Sequence, residues 1–162
     1  MYIIGIIIII LDGIIVYLFP SYFNQLNYLF PMLSITFLVS IYGYTKKYLK
    51  TSLILGFIYD LLYSSIFLYN TLIFLLLSKI NKKIFNYIQI NLFNKILLLI
   101  LNIILYDSIN FLIINFSKYN KIVFNDLIYK ISHSIILNII FIIAIDCILK
   151  KKLKFNKDNL DK

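Results

Sequence analysis

Three aspartates, Asp12, Asp60 and Asp107, stand inside long apolar runs, with the only histidine, His133, and the only cysteine, Cys147, in the last such run. An ionisable group in hydrocarbon costs several kcal/mol unless it is paired, hydrated or neutralised, so each marks a protein-facing surface or a function. The functional chemistry open to them is a membrane pathway for a proton, a cation or a basic solute. Against it, no apolar block contains two acids, no lysine sits within a block to form an ion pair, and no broken helix recurs in matching halves. The structural reading, in which these side chains hydrogen-bond between helices, is preferred. His133, flanked by Ser132 and Ser134, is expected to cap or to join two helices, and Cys147 to fill space.

Enzyme apparatus is missing from the sequence. It holds no Gly-rich phosphate loop, no HExxH, no serine elbow and no cysteine-rich metal spacing, and one histidine makes the usual acid–base pairs hard to assemble. No catalytic residue, cofactor site or metal site is therefore expected. A lipid-directed activity of Asp60, Asp107 and His133 is the weakest of the readings.

The elements that must position these residues are set by apolar length. With 62% apolar residues in 162, the chain carries more apolar surface than a soluble core of this size can hide, so lipid is its expected solvent. The first block, Tyr2 to Phe19, holds one acid and no base, and lacks the basic start of a cleavable signal; it reads as a retained helix. Further helices are expected at 29–45, 51–65, 67–78, 96–116 and 131–149. Residues 51–78 are long for one span and short for two.

Charge decides between them. The formal charge is +9, and thirteen of the sixteen lysines fall in three groups: 46, 47 and 50; 79, 82, 83 and 95; and 150, 151, 152, 154, 157 and 162. The positive-inside rule puts all three in the cytoplasm, which requires the chain to turn back near Ser64 to Asn70. Lys118, Lys121 and Lys130 then lie on the other side, in an outer loop at 117–130; a lysine-free turn at 20–28 shares that side. The expected fold is all-α: a compact bundle of about six transmembrane helices, the third and fourth forming a short hairpin. Its polytopic membrane domain covers 1–149, both termini are cytoplasmic, and 150–162 is a basic tail. Lys150, Lys151, Lys152 and Lys154 are candidates for lipid headgroups, with an acidic partner as the alternative. Between Lys83 and Lys95, Ile84, Phe85, Ile88 and Leu92 would share one face of an interfacial helix, with Asn86, Gln89 and Asn94 facing away; a plain polar loop is the alternative. Codon bias toward A and T, seen in the absence of Arg, Glu and Trp, suggests an AT-rich genome.

Each block carries one small or polar stripe. In the third, Ser52, Gly56, Tyr59, Asp60 and Tyr63 project to one side and should pack against protein. The fifth offers Asn102, Tyr106, Asp107 and Asn110, the sixth Ser134 and Asn138, the second Thr36, Ser40 and Gly43, and the first Gly5 and Asp12.

The stretch Gly56-Phe57-Ile58-Tyr59-Asp60 followed by Tyr63-Ser64-Ser65 resembles the signature of the rod-shape-determining protein MreD family, a Gly-Phe-containing membrane helix that ends in an aspartate before small polar residues. Pro31 before the preceding helix, the polar helix at Asp107, and Ile136-Leu137-Asn138 ahead of a basic tail agree with it. The family commonly has glycine one turn before Gly56, where this chain has Ser52, and another soon after the aspartate, where it reads Leu68-Tyr69-Asn70. Ser52 keeps close packing available; Leu68 does not. The resemblance implies a non-enzymatic scaffold of the cell-elongation machinery, which helps to position lateral peptidoglycan synthesis. Its implied partners are MreC-like and RodA-like membrane proteins, a transpeptidase and the MreB filament, with no nucleic acid. It points to Gly56, Phe57, Tyr59, Asp60, Tyr63, Asp107, Asn110 and Asn138 as packing or partner contacts. The alternative of another class is a small transporter or the substrate-binding subunit of an energy-coupling-factor importer.

Overall fold

The structure, a computed structural model, describes residues 2–18, 32–36, 38, 45–64, 66–85, 87–88, 91–116 and 124–160. Five helices are α1 (Tyr2–Leu18), α2 (Lys46–Tyr63), α3 (Tyr69–Phe85), α4 (Leu92–Phe116) and α5 (Phe124–Leu160). A further helical stretch covers 32–36, and no strand occurs among the described residues. The chain is all-α. Among these helices α4 alone is both long enough and apolar enough to cross a membrane, while shorter apolar stretches, Gly5–Ile14 and Ser134–Cys147, lie within α1 and α5.

Helices run further than the apolar blocks do. Helix α2 begins at Lys46 rather than 51, α3 continues to Phe85 rather than 78, and α5 spans Phe124–Leu160 rather than 131–149. Lysine is a good helix former, so a charge ends an apolar run without ending the hydrogen-bonded backbone. For the same reason α5 carries the chain through 150 into the basic tail without a break, and its first turns occupy half of the expected loop at 117–130. The interfacial helix between Lys83 and Lys95 does not form as one element. Helix α3 ends at Phe85, residues 87–88 are turn and bend, and α4 starts at Leu92. Ile84, Phe85 and Ile88 still converge, lining a cavity of about 260 Å³ with Leu97, Leu98 and Leu101. Ser40, Gly43, Pro31, Lys118, Lys121 and the turn at 20–28 lie outside the described residues.

Between Tyr63 and Tyr69 the chain reverses, and α2 and α3 form the most extensive helix pair; α4 and α5 form the next. The reversal falls within the Ser64 to Asn70 interval that lysine placement requires. Ser64 is extended and donates its N–H to the Asp60 carbonyl, which closes α2. Helix α1 runs alongside α2 in the same direction, with Gly5 against the Leu55 side chain and Gly13 against the Tyr63 ring.

Large apolar residues line the outside of the described helices as well as the inside. The interior combines Ile9, Leu55, Phe74 and Leu99 with Thr51, Ser52, Asp60, Ser78, Asn81 and Asn102, all buried. The outer surface carries Leu61, Leu72, Phe93, Leu112, Phe116 and Ile136, all exposed. Scattered exposed apolar residues are ordinary, but a surface this rich in them is what lipid, or an extensive partner, covers.

Candidate functional site

The α2–α3 pair meets along a ladder with one rung per helical turn. Tyr48, Ser52, Gly56 and Asp60 recur every four residues, which stacks them on one face of α2. Opposite Tyr48, Asn81 donates through Nδ2 to the phenol oxygen at 3.1 Å. Opposite Ser52, the Ser52 and Ser78 hydroxyls hydrogen-bond to each other, and the Ser78 hydroxyl also lies 2.7 Å from the Phe74 carbonyl. Gly56 provides the closest approach: a methyl group there would sit 2.8 Å from the Thr71 Cα and 3.1 Å from the Phe74 Cβ. The neighbour is backbone, so no rotamer change relieves the clash.

Asp60 forms the last rung and caps the next helix. Its Oδ1 accepts from the Asn70 N–H and from Asn70 Nδ2, each at 2.9 Å. Its Oδ2 accepts from the Thr71 N–H at 2.8 Å and from the Thr71 hydroxyl at 2.6 Å. The first N–H groups of α3 have no partner within their own helix and carry its positive dipole end, so a carboxylate is the best acceptor to set there. With two donors on each oxygen, Asp60 has no acceptor capacity left for a solute.

This rung reaches α4 and α1. The Tyr106 hydroxyl donates to Asn70 Oδ1 at 2.7 Å, and the Tyr69 hydroxyl donates to Asn110 Oδ1. The Tyr63 hydroxyl donates to the Ile9 carbonyl at 3.0 Å. Tyr59 stacks on Phe74 with ring centroids 5.7 Å apart and touches Tyr63 at 5.1 Å. Phe57 is on the outer side, edge-on to Phe67 at 5.9 Å.

Of the expected site residues, Gly56, Tyr59, Asp60, Tyr63 and Asn110 thus belong to one connected seam. Asp107 and Asp12 are buried on α4 and α1. Asn138 is buried too, but its amide donates to the Ser134 carbonyl within α5, at 2.8 Å. Asn102 donates to the Thr36 hydroxyl at 3.2 Å, tying α4 to the stretch at 32–36. Cys147 is exposed rather than packed. The side chains of His133, Lys150, Lys151, Lys152 and Lys154 lie outside the described residues.

One pair overturns an expectation. A lysine does pair with an acid of the last apolar block: Lys95 and Asp146 meet at 2.6 Å, their side chains 13% and 7% exposed. By apolar length Lys95 flanks the block at 96–116, yet α4 begins at Leu92 and contains it.

Among the described residues no three His, Cys, Asp or Glu side chains cluster as a metal would need. The arrangement is a hydrogen-bonded clamp. Neither a family model, nor a curated protein, nor a solved structure matches the chain. Its reading therefore rests on its own residues.

Proposed function

We propose that this chain is a non-enzymatic membrane scaffold of the MreD type, a multi-pass protein of the cell membrane with both termini in the cytoplasm, that helps to maintain rod shape by positioning lateral peptidoglycan synthesis. In this reading α1, the segment around 32–38, the α2–α3 hairpin, α4 and α5 are the six helical elements of a bundle in lipid. The observation that carries it is the use made of Gly56 and Asp60. The two residues most specific to the resemblance bind α2 to α3, while the large apolar side chains of the same helices, Leu61 and Leu72 among them, face outward. A protein whose polar groups hold its own helices together, and whose outside is apolar, offers partners a shaped surface within the membrane rather than a reaction centre.

The partners that fit this role are other membrane proteins of the elongation complex, MreC-like, RodA-like or transpeptidase, with the MreB filament at the cytoplasmic face. A transport role would place acids with spare acceptor capacity along a pathway; Asp60 has none, so such a role would fall to Asp12 and Asp107.

Depletion tests the proposal. Cells that lose this protein should round up and lose lateral wall synthesis, and re-expression should restore the rod. Cells that keep rod shape and lateral incorporation after depletion would contradict it.

A further inference from the structure

Helices α2 and α3 end at their turn before the helices beside them do. Its distal end is tied to Ile9 and Gly13 of α1 through Tyr63, and to Tyr106 and Asn110 of α4 through Asn70 and Tyr69. Helix α1 continues to Leu18 and α4 to Phe116. At about 1.5 Å per residue, α4 rises about 22 Å from Lys95 to Asn110 and about 31 Å from Lys95 to Phe116. Tyr69, the first residue of α3, therefore meets α4 about 9 Å short of its end, roughly one and a half helical turns, and only the short turn before Tyr69 lies beyond that level.

The other end is fixed by the lysines. The Tyr48–Asn81 bond joins the turn that holds Lys46, Lys47 and Lys50 to the turn that holds Lys79, Lys82 and Lys83. The Lys95–Asp146 pair brings the start of α4 to the stretch of α5 just before Lys150. The first two basic groups and the α5 backbone just before Lys150 thus share one end of the molecule.

The tip has the chemistry of a segment surrounded by hydrocarbon. Leu61, Leu62, Ile66, Phe67 and Leu72 are more than half exposed there, with no charged residue from Leu61 to Ser78. Part of its polar backbone is served from within. The Ser64 hydroxyl accepts from the Ile66 N–H at 3.2 Å and donates to the Ile66 carbonyl at 2.9 Å. The Ser64 N–H goes to Asp60, the Leu72 N–H to Leu68, and the Asn70 and Thr71 N–H groups to the Asp60 carboxylate. A turn that ends in lipid requires such provision, and this one meets part of it.

We infer that the α2–α3 hairpin is re-entrant: it enters the bilayer from the lysine-rich side and returns to it without crossing, with the tip at Ile66 and Phe67 lodged in lipid hydrocarbon. This rests on the membrane reading above and adds to it that the hairpin is not a pair of spans. Its partner at the tip is the acyl chains of the bilayer. Apolar length agrees: from Thr51 to Tyr63, α2 offers about 20 Å, against about 30 Å for a hydrocarbon core.

The test uses the full chain in membranes, with Cys147→Ser as background and single cysteines from Phe67→Cys, Lys46→Cys and Phe116→Cys. Membrane-impermeant maleimide should label position 46 from one face only and leave position 67 unlabelled from either face until the membrane is dissolved in SDS. A nitroxide at position 67 should be relaxed by oxygen and shielded from a polar nickel chelate, more so than one at position 116. Labelling of position 67 from the face opposite position 46 would overturn the re-entrant hairpin while leaving the membrane reading intact. Efficient disulfide formation between copies through position 67 would replace lipid by a second copy as the occupant. Release of the unmodified protein by alkaline carbonate would remove the membrane reading itself.

Discussion

Asp60 is the residue on which the α2–α3 pair most depends, because one carboxylate serves four donors and the start of a helix. Asp60→Ala leaves those donors buried without their acceptor and should cost about 3 kcal/mol or more, the loss expected for a charged hydrogen-bonding group deep in a protein. Asp60→Asn keeps one acceptor oxygen and should lose less. Reversible unfolding in mixed micelles measures both; equal stability of Asp60→Ala and the parent would contradict the cap. Gly56→Val places its first carbon against the Thr71 backbone and should separate the helices, at a cost in the overpacking range of about 1–3 kcal/mol. The importance of both residues was legible in sequence, since a small residue and an acid one turn apart on an apolar helix call for a neighbour. The partners of Asp60 were not, because Asn70 and Thr71 are ordinary polar residues whose role depends on the turn geometry between.

At the scale of elements, the turn is held at a cost. Leu68 has a φ of 63°, in the left-handed region that favours glycine. A side chain there costs about 1–2 kcal/mol, so Leu68→Gly should stabilise the hairpin by up to about that amount, less the entropy that glycine adds to the unfolded chain. A melting temperature that falls would show that Leu68 contributes more by contact than it costs by strain. Helix ends were the least legible feature. Reading apolar length stopped α2, α3 and α5 at their lysines, whereas the backbone continues through them. The reversal at 64–70 was legible because lysine placement is a long-range signal that local propensity does not carry.

The Lys95–Asp146 pair, 51 residues apart in sequence, sets the register of α4 against α5. Partly buried pairs are most sensitive when one partner is removed. Asp146→Leu alone or Lys95→Met alone should destabilise by about 3 kcal/mol, and the double replacement by much less. Additive losses in that double-mutant cycle would show that the two charges act separately.

At the scale of the whole molecule, the lysine groups, the polar seam and the apolar exterior make one consistent picture. The first two lysine groups meet at one end, buried hydroxyls, amides and Asp60 hold helix to helix, and large apolar side chains line the outside as well as the core. Overall composition made the all-α class and the apolar exterior legible, whereas the convergence of the lysines depends on contacts 33 and 51 residues apart, Tyr48 with Asn81 and Lys95 with Asp146.

The most direct test of this apolar exterior is the state of the purified chain when detergent is withdrawn, followed by sedimentation velocity. The account predicts that it stays monodisperse only in micelles or lipid and aggregates in plain buffer. A stable, folded monomer in buffer alone would contradict it.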